Sequence, residues 1–320
     1  MKLRSATNKV IGKQHGPRLD KLQRTQRILA CIMVFCGMAL HAQKHKVLLI
    51  TGQNNHYWQG SSPVIQAMLE NSGLFTTTLM TTPSKGEDMS GFSPDFSDYD
   101  LVCLDYNGDA WPESTQKAFV KFVRKGGGLV VFHASDNSWP NWKAYNRMIG
   151  VGGWGKRTEA HGPIFYWEDG TIKKDKSVGK GGAHGKQDEY LVHTRMPQHP
   201  IMKGLPDSWL HTQDELYHSM RGPGKQMQVL ATASQPKERG GSGRQEPVLM
   251  AIKFGKGRIF HSVLGHIGKK HNNTILCGGF MTTYLRGAEW AATGQVTQNV
   301  SSAFPDRENT RIWKDMKVPD

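Results

Sequence analysis

Apolar residues in this chain gather into short unbroken runs, and between the runs they recur at helical spacing. KVLLITG (46–52), FTTTLMTT (75–82), DLVCLDYNG (100–108) and LVVFH (129–133) are four such runs. Strands buried on both faces of a parallel sheet read this way. Between the first two, Val64, Met68 and Leu69 mark one face of a helix, with Ser61 or Ser62 as its N-cap and Pro63 in its first turn. Before LVVFH, Ala118, Phe119, Phe122 and Val123 mark a second helix, closed by basic residues and three glycines. Strand and helix in alternation predict an α/β fold with a mostly parallel sheet. Further on, QVLATA (228–233), PVLMAIKF (247–254) and RIFHSVL (258–264) predict three more strands, the last two joined as a hairpin by GKG, and a helix over 276–292 closes the domain. Residues 150–225 follow neither period and are rich in Gly, Trp and His, which predicts an elaborated loop region over the C-terminal edge of the sheet.

Three of the predicted strands end in polar tips, at Gln53 to His56, Asp105 to Asn107 and His133 to Asn137. Parallel strands bring such tips to one edge, where open α/β sheets bind ligands. His133 stops an apolar run, and an imidazole there suits a general acid or base, a metal ligand or a sugar-binding group. A second chemical cluster is TQDELYH (212–218). Adjacent carboxylates on a strand face opposite ways. The expectation is that Asp214 points into the site with His218 on its side, while Glu215 braces the loop. His56, His161 and His266 sit in or beside Gly-rich turns, and Trp58, Trp139, Trp142 and Trp154 accompany them. Aromatic faces of this kind pack against the C–H surface of a pyranose. No H-x-H, H-E-x-x-H or C-x-x-C spacing exists, so a divalent metal such as zinc would have to be held from distant loops, with His56, His133, His161 and His266 as candidates.

Composition alters this picture mainly at the N-terminus. Residues 1–27 carry eight Lys or Arg against one Asp, and an uncharged apolar stretch follows from Ile28 to Leu40. That is the pattern of an export signal, too short in its apolar part to span a bilayer. It predicts signal removal after residue 42, a periplasmic or secreted protein and no stable membrane association afterwards. Half of the formal net charge of +14 leaves with it. The remaining basic residues are dispersed, without the patches or motifs of a nucleic-acid binder. Of the four cysteines only Cys103 and Cys277 remain, each in an apolar run that predicts a buried thiol.

TGQNNHYW after the first strand, GGGLVVFHAS with WPNWKAYNRMIGVGGW, HPI before TQDELYH, and GRIFHSVLGH before a helix ending in EWAA occur in one order. Together they resemble the trehalose-utilisation (ThuA-like) family over about Lys46 to Thr293. The resemblance implies a flavodoxin-like three-layer sandwich related to class I glutamine amidotransferases, spanning 43–295 and followed by a tail at 296–320, and it implies work on carbohydrates. In the amidotransferase relatives a nucleophilic Cys occupies the elbow where this chain has His133. Without that thiol, and with no G-x-C-x-G or G-x-S-x-G, glutamine hydrolysis loses its nucleophile.

The function this implies is an exported enzyme that cleaves or isomerises an oxidised sugar of the 3-keto-glycoside type. His133 would be the base, Asp214 the acid or the orienting group, Glu215 and His218 their neighbours, and His56, Trp58, Asp105, Asn107, Trp139, His161 and His266 the substrate-binding shell. A non-catalytic sugar-binding module and a metal-dependent glycoside hydrolase are the two rival readings.

Overall fold

The computed structural model describes residues 43–270 and 273–313, so the expected signal over 1–42 and the last seven residues of the expected tail lie outside the described residues. In chain order the elements are β1 (His45–Thr51), α1 (Trp58–Asn71), β2 (Phe75–Thr81), β3 (Leu101–Leu104), α2 (Glu113–Lys125), β4 (Gly128–Phe132) and α3 (Lys143–Ile149). There follow β5 (Ile164–Glu168), β6 (Thr171–Asp175), β7 (Ala183–His184), β8 (Asp188–Thr194), β9 (Ser208–Asp214) and β10 (Tyr217–His218). The chain continues through β11 (Met227–Ala233), β12 (Glu246–Phe254), β13 (Gly257–Ser262), α4 (Asn273–Leu276) and α5 (Gly278–Thr293).

Nine strands form one sheet in the order β2-β1-β3-β4-β13-β12-β11-β8-β9. The first five are mutually parallel, and the others join antiparallel. Because β11 and β9 turn back into the direction of β1, the sheet is mostly parallel in strand direction. The carboxyl ends of β1, β3, β4, β13 and β9 therefore share one edge. Apolar burial explains the parallel half: Val47 to Ile50, Leu101 to Leu104 and Leu129 to Phe132 are almost wholly excluded from solvent. α2 buries Thr115, Phe119 and Val123 on one stripe, and Gly126 ends it at φ +129°, its N–H reaching the Phe122 and Val123 carbonyls.

Two expectations change. α1 begins at Trp58, so Ser61 and Ser62 are not caps but lie inside the helix, where both hydroxyls donate to Asp105. Residues 150–225 are more than loop, since β8 and β9 lie within them and extend the sheet. Their sequences, DEYLVHT and SWLHTQD, mix polar and apolar positions because only part of each strand is covered, and a bulge between Asp188 and Tyr190 breaks the register further. The chain after α5 runs back to this edge: Leu210 N–H donates to the Asp306 carbonyl, and Phe304 packs edge-on to Trp209. Cys103 and Cys277 are both buried and free, as expected.

Glu246 opens β12 with 1% of its surface exposed, accepting hydrogen bonds from the Ser242 hydroxyl at 2.7 Å and the Ser219 N–H at 3.3 Å. Burial outweighs these bonds and pushes its carboxyl up to about 7. A raised carboxyl favours the fold in its protonated form. Its contribution is intact below about pH 4.5 and is lost as pH rises through 7, a swing of up to about 3 kcal/mol. Glu246→Gln should remove that part of the loss, so urea midpoints measured from pH 5 to 8 should fall less steeply than for the parent. Parallel curves would show that the carboxyl ionises freely in the fold.

Candidate functional site

His133 follows β4 at φ +42°, in the left-handed region that non-glycine residues rarely enter, at the head of a short 3-10 turn (His133–Asn137). The strand thus ends in a sharp elbow that carries an imidazole. The turn is locked from behind. The guanidinium of buried Arg157 donates to the carbonyls of Asn137, Ser138 and Gly153, and His261 pairs with Asp136 at 3.1 Å, both side chains fully buried. Nδ1 of His133 donates to the Val263 carbonyl at 2.6 Å, which leaves Nε2 to accept from the Tyr217 hydroxyl at 2.9 Å. Burial pushes the imidazole down to about 3, aided by the facing His56. A ring so engaged, 2% exposed and neutral at ordinary pH, fixes Tyr217 and is poorly placed as the base.

The two carboxylates of TQDELYH exchange the parts expected of them. Asp214 is fully buried at the end of β9, where it accepts from His211 Nε2 at 2.8 Å and from the backbone N–H groups of Glu215, Gly265 and His266 at 2.7, 2.8 and 3.0 Å. Burial disfavours its charge, but the His211 bond and the other donors hold its carboxyl below the usual range. Burial likewise opposes charge on His211, yet the Cys277 sulfur and Asp214 bring it up to about 10. Asp214 is therefore the brace, and Glu215 faces the site.

Around Glu215 stand three imidazoles from three different segments. Nε2 of His266 lies 3.4 Å from Oε1, and Nε2 of His56 and His184 lie 3.7 and 3.9 Å from Oε2. Gln187 donates to Oε1 at 3.2 Å. Burial raises the Glu215 carboxyl, but the His56 contact and the facing imidazoles of His266, His133 and His184 bring it down to about 2. Asn55, Asn107, Asn137, Trp154, Gly155 and Tyr217 complete the wall of a cavity of about 560 Å³. Asn107 donates to Asn55 at 2.7 Å, and Trp154 stands edge-on to Tyr217 at 4.6 Å between centroids. Asp105 sits below this wall. It accepts from Ser61, Ser62 and Asn54 at 2.5, 2.8 and 3.0 Å, and Asn54 in turn faces Nδ1 of His56.

Residues 46–291 match the ThuA family, described as trehalose utilisation. The chain belongs to the ThuA family. A solved thua-like protein from Parabacteroides merdae is 50% identical, with a TM-score of 0.84 over 86% of this chain and 99% of that one. A second, from Bacteroides uniformis, shares the fold at 18% identity and a TM-score of 0.53, over 81% of this chain and 96% of the other. No curated protein matches the chain.

Of the residues expected at the site of this ThuA chain, His56, Asn107, Glu215 and His266 line the cavity, and His133, Asp214 and Asp105 form the layer beneath it. Four do not come together with them. His218 turns away to bond Ser219 Oγ and the Gly240 carbonyl, since neighbours on β10 face opposite sides and Tyr217 takes the inner one. His161 closes a capping box with Thr158 and lies by Pro140 and Lys225, in a separate depression, which removes it from the metal candidates. Trp139 belongs to an aromatic cluster with Tyr106, Trp111, Trp142 and Tyr145, and its indole N–H donates to the Asp109 carbonyl. Trp58 opens α1 and does not line the cavity. His184, Gln187 and Tyr217 were not expected. The pairing of β7 with β10, which sets His184 opposite Tyr217, joins segments that carry no shared pattern in the sequence.

Proposed function

We propose that this protein is an exported enzyme that cleaves or isomerises an oxidised sugar of the 3-keto-glycoside type by proton transfer. The observation that carries the reading is the convergence of His56, His184 and His266 on Glu215, in a cavity walled by Asn55, Asn107, Asn137 and Trp154. A volume of about 560 Å³ suits one or two sugar rings. Three amides supply donors and acceptors for hydroxyls, and the indole supplies an apolar wall for a ring face. Family membership supports a carbohydrate substrate, and the apolar stretch at 28–40 supports export.

A keto group at C3 acidifies the C–H at C2. An imidazole of the cluster around Glu215 removes that proton, the electron pair forms the enolate, and the enolate expels the C1 oxygen, which takes up a proton as the alcohol leaves. Water added across the resulting C1–C2 double bond completes hydrolysis. Tyr217, its proton directed to His133, presents oxygen lone pairs to a sugar hydroxyl. An unoxidised glycoside has no acidic C2 proton, so the route is closed to it. The expected result is turnover of a 3-keto-glucoside at least about 10³ times faster than of its parent glucoside, followed by release of the alcohol. Equal rates on both, or binding without turnover of either, would exclude this chemistry; the latter would favour a sugar-binding module.

A further inference from the structure

We propose that Nε2 of His56, Nε2 of His266 and the carboxylate of Glu215 bind a divalent transition-metal ion of the zinc class, with His184 as a fourth donor within reach. These three ligand groups lie within 4.8 Å of one another, and they come from the loop after β1, the β9–β10 link and the loop after β13. That origin explains why no local metal motif exists in the sequence.

Hydrogen-bond roles give the first argument. Asn54 uses its amide nitrogen to donate to Asp105, so its oxygen is the end that meets Nδ1 of His56, at 3.3 Å, and that nitrogen carries the hydrogen. Nδ1 of His184 likewise donates to the Gly185 carbonyl at 2.9 Å. In their neutral form both rings then turn bare Nε2 lone pairs toward a carboxylate, which is itself only an acceptor, so a proton or a metal ion has to stand between them. Acceptors facing acceptors repel unless a cation lies among them. His266 joins the set once the ion takes over Glu215 and the Gln187 amide, whose nitrogen donates to Oε1 at 3.2 Å and faces Nδ1 of His266 at 3.3 Å, turns its oxygen to Nδ1.

Distance decides between a proton and a metal ion. A charged N–H to carboxylate bond is about 2.7–2.9 Å long. The separations here are 3.4, 3.7 and 3.9 Å. Ligands at 2.0–2.1 Å around a tetrahedral zinc stand roughly 3.4 Å apart, which the shortest separation matches, and the group, spanning up to 4.8 Å, has to draw in around the ion. Two imidazoles and a carboxylate form a borderline donor set that zinc accepts and that calcium and magnesium do not favour. The supports behind the ligands are of the kind that orient metal-bound groups: Asp105 holds Asn54 against His56, and Asp214 holds the backbone of both Glu215 and His266.

The cavity leaves one side of the cluster open toward Asn55, Asn107 and Trp154. On the 3-keto-glycoside reading, on which this one step rests, that side would receive the neighbouring carbonyl and hydroxyl oxygens at C3 and C2. The test is metal binding by the full chain, stripped with a chelator and titrated with zinc and with cobalt(II). One zinc per chain is expected, with a Kd below about 1 μM. Glu215→Gln, His56→Ala and His266→Ala should each weaken it by about a hundredfold or more, and cobalt(II) should give the visible bands of a four- or five-coordinate site. His161→Ala should change nothing, and matched circular dichroism identifies any variant that has lost the fold. Absence of stoichiometric zinc, or affinity unchanged in the three folded ligand variants, overturns the proposal. Full turnover of a 3-keto-glycoside by metal-free protein would overturn the substrate step assigned to the ion while leaving the sugar reading intact. Zinc bound at this site without such turnover would do the reverse.

Discussion

Asp214→Ala should cost about 3–5 kcal/mol of folding stability, the largest effect of any single substitution near the site. The carboxylate is fully buried and accepts from four donors: His211 and the backbone N–H groups of Glu215, Gly265 and His266. Removing it leaves the imidazolium of His211 without its carboxylate partner in the interior, and three backbone donors without acceptors. The pH dependence should carry the same signature. The lowered carboxyl of Asp214 contributes stability above the usual carboxylate range, lost as pH falls through its folded value. The raised His211 contributes stability in full below about pH 6.5, lost as pH rises toward 10. Parent and variant should therefore differ most between these limits and less outside them, where the three unmet backbone donors still weigh on the variant. Urea unfolding across pH checks both statements. A loss under about 1 kcal/mol at pH 7 would mean that the pair is replaceable and that Asp214 is no brace.

The parallel half of the sheet is legible in the sequence because burial on both faces leaves a plain mark. Val47 to Ile50 and Leu129 to Phe132 have no polar member to confuse the reading. The edge that holds the site was legible for the same reason, since His56, Asn107, His133 and His266 each follow such a run. β8 and β9 were not, because strands at the margin of a sheet carry His, Asp, Glu and Gln among their apolar residues. Direction was harder still. Whether Asp214 or Glu215 faces the cavity depends on where β9 ends and how the chain turns before β10, and a slip of one residue reverses the answer. His133 stands beneath the cavity wall, and which of its nitrogens carries the proton depends on Val263 and Tyr217, 130 and 84 residues away. His184 and Gln187 entered through β7 and the turn after it, where Gly-rich sequence has no period to read.

Glu215→Gln should lower turnover of a 3-keto-glycoside by about 10²–10⁴ while changing the melting temperature by only a few degrees. Its contrast with the residue before it follows from position. The Glu215 side chain stands at the cavity, 12% exposed, and its contribution to the fold comes through its backbone N–H to Asp214, which glutamine retains. What glutamine removes is the negative charge on which His56, His184 and His266 converge, and with it the capacity to accept a proton from C2 or to neutralise a cation. Asn107→Ala, by comparison, takes away one wall contact and should raise KM more than it lowers kcat. Steady-state kinetics beside thermal melts of both variants separate the two kinds of loss. If Glu215→Gln keeps turnover within a factor of about three of the parent, proton transfer does not pass through this carboxylate. The chemistry would then have to be sought at Tyr217 and the His133 imidazole behind it, the other ionisable pair that reaches the cavity wall.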